Sequence, residues 1–253
     1  MTRTSPWLVV PQPRPEASHR LVCFPHAGGG PNFYRGWSRL LNPSVELQIV
    51  HYPGRENRLT EPLVSDPDAL VHDVATALAQ TECSAVSTVF FGHSMGALLA
   101  HEVSRAMETT GFPVINRLIL SACTPPDPTS QGASGTEPAT PWSDAAILAA
   151  VRGRGGTPTA VLQDADLQAM LLPIFRNDYL LVDLCRRRPA EPVKAAITAL
   201  GGDRDDAADP AGLSRWARYT AGDFDLRIFP GGHFYLASRQ RELMELLHER
   251  TLR

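Results

Sequence analysis

The chain has 253 residues, 43% of them hydrophobic and 20% charged, with a formal net charge of −3. This is ample for a sizeable core, and residues 1–253 are expected to form a single α/β domain with no general affinity for nucleic acid or membrane surfaces. No apolar run reaches the length of a membrane span, and a proline interrupts the N-terminal MTRTSPWLVVPQ where a signal peptide needs its apolar stretch, so a cytoplasmic location is expected.

Taken in chain order, RLVCF (20–24) reads as a short buried strand and VELQIVHY (45–52) as another. Residues 68–80 carry Leu70, Val71, Val74, Ala77 and Leu78 at helical spacing, with Asp66 or Asp68 near the start. STVFFGHS (87–94) is a strand entering a turn, and residues 95–111 form a helix closed by Gly111. RLILSAC (117–123) is again a strand. This alternation predicts a mostly parallel sheet covered on both faces.

The rhythm breaks at 124–141, a stretch rich in proline, glycine, serine and threonine that reads as a long loop. Two helical patterns follow. One spans 143–153 with Ser143 as its cap, and the other spans roughly 164–186, where Pro173 should kink or divide it. Strand patterns resume at 193–203 and 225–233, separated by a helix around LSRWARYT, and a last amphipathic helix covers about 238–250. The stretch 124–190 is therefore a helical insertion within the domain. Cysteines stand at 23, 83, 123 and 185 without a CxxC pair, and Cys23 and Cys123 fall in apolar runs suited to buried free thiols, so neither a disulfide framework nor a zinc site is expected.

GHSMG (92–96) fits G-x-S-x-G, and its setting between an apolar strand and a helix matters more than the five letters. A serine at such a turn is lifted clear of the sheet, above a helix N-terminus that favours developing negative charge. Ser94 is therefore the expected nucleophile; a Gly-rich packing turn is the bland reading. A serine needs a base. Of eight histidines, His93 sits beside the serine but should point elsewhere, and His19, His51, His72, His101 and His248 fall at element boundaries or within helical patterns. His233, in FPGGHFYL after a strand, is the expected general base. An acid should lie between them in the chain. ALGGDRDDAADP offers Asp205, favoured by the spacing from Gly202, with Asp203 and Asp206 as rivals and a solvated acidic loop as the plain alternative.

The loop HAGGGPNF (26–33) has glycines but no Lys-Ser/Thr after them, so it is not a Walker A loop, and it lacks the dinucleotide spacing G-x-G-x-x-G. A lone His26 makes a poor metal site. The position of this loop after an early strand suits one backbone donor of an oxyanion hole, and the residue after the nucleophile suits the other. That assigns the N–H groups of Met95 and Ala27, with Gly28 as the fallback, each donor worth roughly 3–4 kcal/mol in the transition state.

FPHAGGGPNFYRGW, YPGRENRLTEP (52–62), FFGHSMGALLAHEVS and the late GGH with its upstream G-x-x-D together resemble the type II thioesterases over essentially the whole chain. The resemblance implies an α/β-hydrolase fold whose 124–190 insertion is a mobile lid, and a triad of Ser94, Asp205 and His233. It implies an enzyme that edits polyketide or nonribosomal peptide synthases, hydrolysing acyl groups from the phosphopantetheine thiol of acyl or peptidyl carrier proteins. No metal or redox cofactor is expected, since the phosphopantetheine arrives on the partner. One departure is the text after the acid, DDAADPAGLSRW, where family members often place a proline and a hydrophobic residue at once. Leu167, Met170, Leu171, Phe175, Leu180 and Leu181 either roof an acyl pocket or pack the lid onto the core. Arg186, Arg187 and Arg188 either neutralise a helix C-terminus or attract an acidic carrier. The alternative enzyme is a carboxylesterase or lipase-like hydrolase of oxyesters, and the alternative class is a scaffold that has lost catalysis.

Overall fold

The structure, a computed structural model, describes residues 5–81, 87–109, 115–127, 142–189 and 191–252. Its first half runs β1 (Leu8–Val9), β2 (His19–Phe24), β3 (Val45–Val50), α1 (Pro67–Gln80), β4 (Ser87–His93), α2 (Met95–Glu108) and β5 (Ile115–Ser121). Three helices follow, α3 (Asp144–Arg154), α4 (Thr159–Gln163) and α5 (Ala165–Arg187). The chain then completes β6 (Ala196–Gly202), α6 (Pro210–Ser214), β7 (Phe224–Phe229), α7 (Tyr235–Ser238) and α8 (Gln240–Thr251).

The seven strands form one sheet in the order β1-β3-β2-β4-β5-β6-β7, parallel throughout except that β1 runs antiparallel to β3. Successive side chains of a strand point to opposite faces, and both faces here are buried. Val22 and Phe24 of β2 join Phe90, Leu118 and Leu120 in a core with residues of α1 and α2. Their neighbours Leu21 and Cys23 join Val89, Phe91 and Ile119 in a second core with Trp37 and with Leu243 and Leu247 of α8. This two-faced burial explains why the strands read as continuous apolar runs.

Local chemistry sets the boundaries. Asp66 accepts from the Asp68 N–H to cap α1, with Pro67 in the first turn, and Ser143 accepts from the Ala146 N–H at 3.2 Å to cap α3. Two expectations need correction, the division of a helix at Pro173 and the extent of the helix around LSRWARYT. α5 runs unbroken through Pro173. Pro173 and Ala169, whose carbonyl loses its N–H partner, are both exposed, so the unpaired carbonyl is not sealed from solvent. The helix around LSRWARYT is a short α6 followed by a 3-10 turn, Arg215–Tyr219, which starts earlier because Asp209 caps it. The two-residue β1 is too short to carry a periodic signal. Gly111, Cys83 and residues 128–141 of the expected loop lie outside the described residues. Among the described residues, no helix is long and apolar enough to cross a membrane.

Candidate active site

In a parallel sheet the carboxyl ends of the strands share one edge, and the loops leaving it meet there. Four such loops carry the expected residues: those after β2, β4, β6 and β7. Ser94, between β4 and α2, holds φ 55° and ψ −119°, a conformation few residues with a side chain adopt. Its own N–H donates to the Ser121 carbonyl at 2.8 Å, and its carbonyl accepts from the Ala97 N–H at 2.9 Å, so the turn is held from both sides. The flanking glycines are required by approach rather than by dihedral angle. A Cβ on Gly92 would lie 2.2 Å from the Gly96 carbonyl oxygen, and one on Gly96 would lie 2.0 Å from the Phe24 carbonyl oxygen.

Ser94 Oγ lies 3.0 Å from His233 Nε2, and His233 Nδ1 lies 2.8 Å from Asp205 Oδ2. An ionised carboxylate only accepts, so Nδ1–H donates to it and Nε2 is left to accept the serine proton. Asp205 is held in turn by the Ala207 N–H, 3.0 Å from its other oxygen. Both Asp205 and His233 are buried. Of the three candidate aspartates, Asp205 alone meets the imidazole. Asp203 instead accepts from the Gly231 N–H at 2.8 Å, which ties the β6 loop to the glycine turn that carries His233, and Asp206 is exposed.

The other histidines near the site are kept neutral. Burial, with smaller effects from His233 and Arg55, lowers the pKa of His26 to about 3. Burial likewise pushes that of His93 well below its ordinary value. His93 turns its Nδ1 to Ser121 Oγ at 2.9 Å, away from the relay. Phe234 packs against both rings and against His233, with centroids 4.9, 5.1 and 5.4 Å apart.

Met95 and Ala27 line the same cavity as Ser94 and His233. Gly28 does not serve as the alternative here, because its N–H donates to Asp178 Oδ2 at 2.7 Å. Asp178, fully buried on α5, is also ion-paired with Arg55. Arg55 in turn donates through Nε to the Gly29 carbonyl at 3.1 Å, and Glu56 accepts from the Asn32 N–H at 2.7 Å. Sequence reasoning missed this brace, although the PGRE block contains half of it. Its other half had a signal as well: Asp178 falls on the same helical stripe as Ile174, Leu181 and Cys185, all buried, and a carboxylate on an apolar stripe implies a partner.

Of the six apolar residues proposed for a roof, Phe175 lines the cavity. Leu181 joins the core beneath α2, Leu171 packs against a separate cluster of α3–α5 residues, and Met170 is exposed. The arginine triplet also divides. Arg188 pairs with Asp68 at 2.5 and 2.9 Å, joining the end of α5 to the start of α1, whereas Arg186 faces the cavity. The cavity measures about 50 Å³, room for a few water molecules and little more.

The sequence model of the family described as Thioesterase domain matches residues 19–251. The chain is 34% identical over 246 residues to Thioesterase PikA5 of Streptomyces venezuelae, covering 97% of this chain and 85% of that one. It is 29% identical over 248 residues to the gramicidin S biosynthesis protein GrsT of Aneurinibacillus migulanus, with 98% and 94% covered. Among solved structures, the type II thioesterase BorB from the borrelidin biosynthetic cluster superposes with a TM-score of 0.82 at 31% identity, covering 98% of this chain and 99% of that one.

Proposed function

The chain belongs to the thioesterase family, and from that premise we propose that it frees acyl groups from the phosphopantetheine thiol of acyl or peptidyl carrier proteins. The observation that carries this reading is the relay from Ser94 Oγ through His233 to Asp205, at 3.0 and 2.8 Å. Ser94 Oγ attacks the thioester carbonyl while His233 Nε2 takes its proton. The tetrahedral oxyanion accepts from the Met95 and Ala27 N–H groups. Collapse expels the pantetheine thiolate, which takes the proton from His233, and leaves an acyl-Ser94 ester. Water then attacks that ester, giving a proton to His233, and the second collapse returns the proton to Ser94 Oγ and releases the acid. Asp205 holds the imidazole in the tautomer both steps need and stabilises its charged form.

A thiol leaves readily, so acyl transfer here calls on side chains and backbone amides without a metal or redox group. The small volume around Ser94 supports a role for α3–α5 as a cover that shifts to admit substrate. The relatives named for gramicidin S biosynthesis and for a borrelidin cluster support a carrier-bound substrate. The test compares kcat/KM for one acyl group presented on a carrier protein, on coenzyme A and as a p-nitrophenyl ester. The carrier thioester is expected to rank first. Preference for the oxyester would assign the protein to the carboxylesterases instead.

A further inference from the structure

Three buried polar side chains outside the triad form a line behind the nucleophile. His93 and Ser121 end β4 and β5 and are partners in the parallel ladder between them. Ser121 Oγ lies 2.9 Å from His93 Nδ1 and 2.8 Å from the Tyr235 hydroxyl. All three residues are buried. Each end of this line is tied to a catalytic residue. The Ser121 carbonyl accepts from the Ser94 N–H at 2.8 Å, and Tyr235 opens α7 two residues after His233. The Tyr235 N–H donates to the Gly232 carbonyl at 3.1 Å, and a Cβ on Gly231 would lie 2.9 Å from Tyr235 Cβ, so the tyrosine sits tightly against the turn that carries the general base. Its ring stacks on Phe229 with centroids 5.0 Å apart, which holds the phenol in place.

Proton accounting gives the line a direction. Burial raises the pKa of Tyr235, so the phenol keeps its proton, and burial keeps His93 neutral. Among the described residues the phenol has Ser121 Oγ as its only hydrogen-bond partner, so its O–H donates there. The Ser121 hydroxyl then donates to His93 Nδ1, which puts the His93 proton on Nε2. The reverse direction would bury the phenol proton without an acceptor, in addition to His93 Nε2, which lacks a partner either way. We propose that Tyr235 is a positioning residue: by donating to Ser121 it fixes the turn that carries His233 against the turn that carries Ser94. Proton transfer needs the imidazole within hydrogen-bond reach of the hydroxyl, and a misplacement of about 1 Å can cost about a hundredfold. Ser94 Oγ turns about its own Cα–Cβ bond, so the contact with His233 does not by itself set the distance between the two turns. This rests on the serine-nucleophile part of the thioesterase reading and adds a residue to it.

The test follows the rate at which a fluorophosphonate labels Ser94, which needs no thioester, beside kcat and KM for an acylated carrier protein. Tyr235→Phe keeps the ring on Phe229 and removes only the hydroxyl. At a temperature where circular dichroism shows the native fold, it is expected to slow labelling about tenfold and to lower kcat by a similar factor, with KM within about twofold. Ser121→Ala breaks the same line, so adding Tyr235→Phe to it should slow labelling by less than about twofold more. NMR of the imidazole nitrogens should show His93 protonated at Nε2 in wild-type protein, with the Nδ1–H tautomer gaining in Tyr235→Phe. Unchanged labelling and kcat in Tyr235→Phe, even with a lowered melting temperature, would reduce the hydroxyl to packing and overturn the proposal. Independent losses that multiply in the double variant would also overturn it, as would a wild-type His93 protonated at Nδ1. Should Tyr235→Phe fail to fold, Ser121→Ala carries the same expectation, and unchanged labelling there is equally fatal. If wild-type protein is labelled but leaves carrier thioesters intact, the thioesterase reading fails while the labelling series still decides the role of Tyr235. No labelling of wild-type protein would overturn both.

Discussion

At Ser94 the backbone holds φ 55° and ψ −119°, a conformation that costs a residue with a side chain on the order of 1–3 kcal/mol. Glycine tolerates it, at an entropic cost of about 0.5–1 kcal/mol. Ser94→Gly should therefore abolish turnover and raise the melting temperature; a fall in stability would mean that the turn stores no strain. Ser94→Ala should lower kcat by about a millionfold, as loss of a triad nucleophile can, and should stop labelling of this residue by a fluorophosphonate. Asp205→Asn should reduce kcat by about ten-thousandfold by spoiling the tautomer of His233. Asp206→Asn, on an exposed side chain, should leave the rate within twofold. Comparable losses in both variants would detach the acid role from the contact with His233. The neutral buried histidines bear on pH. The unfolded chain binds protons at His93 below about pH 6.5, while the folded chain, whose His93 pKa is depressed by burial, does not. This contribution to stability is full above that pH and falls as the medium is acidified, with a slope of up to about 1.4 kcal/mol per pH unit. His93→Gln should flatten the acid limb of a urea-denaturation series.

Among the elements, the brace between α5 and the glycine loop shows in the sequence only as separate halves, the PGRE block and Asp178 on an apolar stripe, with nothing local to pair them. The strands, α1, α3 and α8 were legible because burial on a face imposes a period, and Ser94 and His233 were legible because turn chemistry surrounds them. Spacing from Gly202 favoured Asp205 without excluding Asp203 or Asp206, because which carboxylate the β6 loop turns toward the imidazole depends on the path of the folded loop. The engagement of Gly28 by Asp178 joins residues 150 positions apart, beyond the reach of any motif. Removing one partner of a buried ion pair strands the other's charge. Asp178→Ala should accordingly destabilise the fold by about 3–5 kcal/mol in urea titration and also lower kcat, because the loop carrying the Ala27 N–H loses its tie. A change under 1 kcal/mol would show that the pair contributes no more than a surface contact.

Among the described residues, the buried hydrophobic side chains fall into three clusters, two on the faces of the sheet and one within α3–α5. The third, with Ile147, Val151, Leu162, Phe175 and Tyr179, gives these helices an interior of their own, while the C-terminal part of α5 is packed into the sheet core through Leu181 and Cys185. The fold class followed from the alternation of strands and helices. The extent of the cover over Ser94 did not, since it depends on how α5 crosses the strand edge. The central claim, that Ser94 cleaves carrier-bound thioesters, is tested most directly by the mass of an acylated carrier protein incubated with wild-type protein and with Ser94→Ala. Wild-type protein should return the carrier to its free-thiol mass while the variant leaves the acyl group in place. Deacylation at comparable rates by both would contradict it.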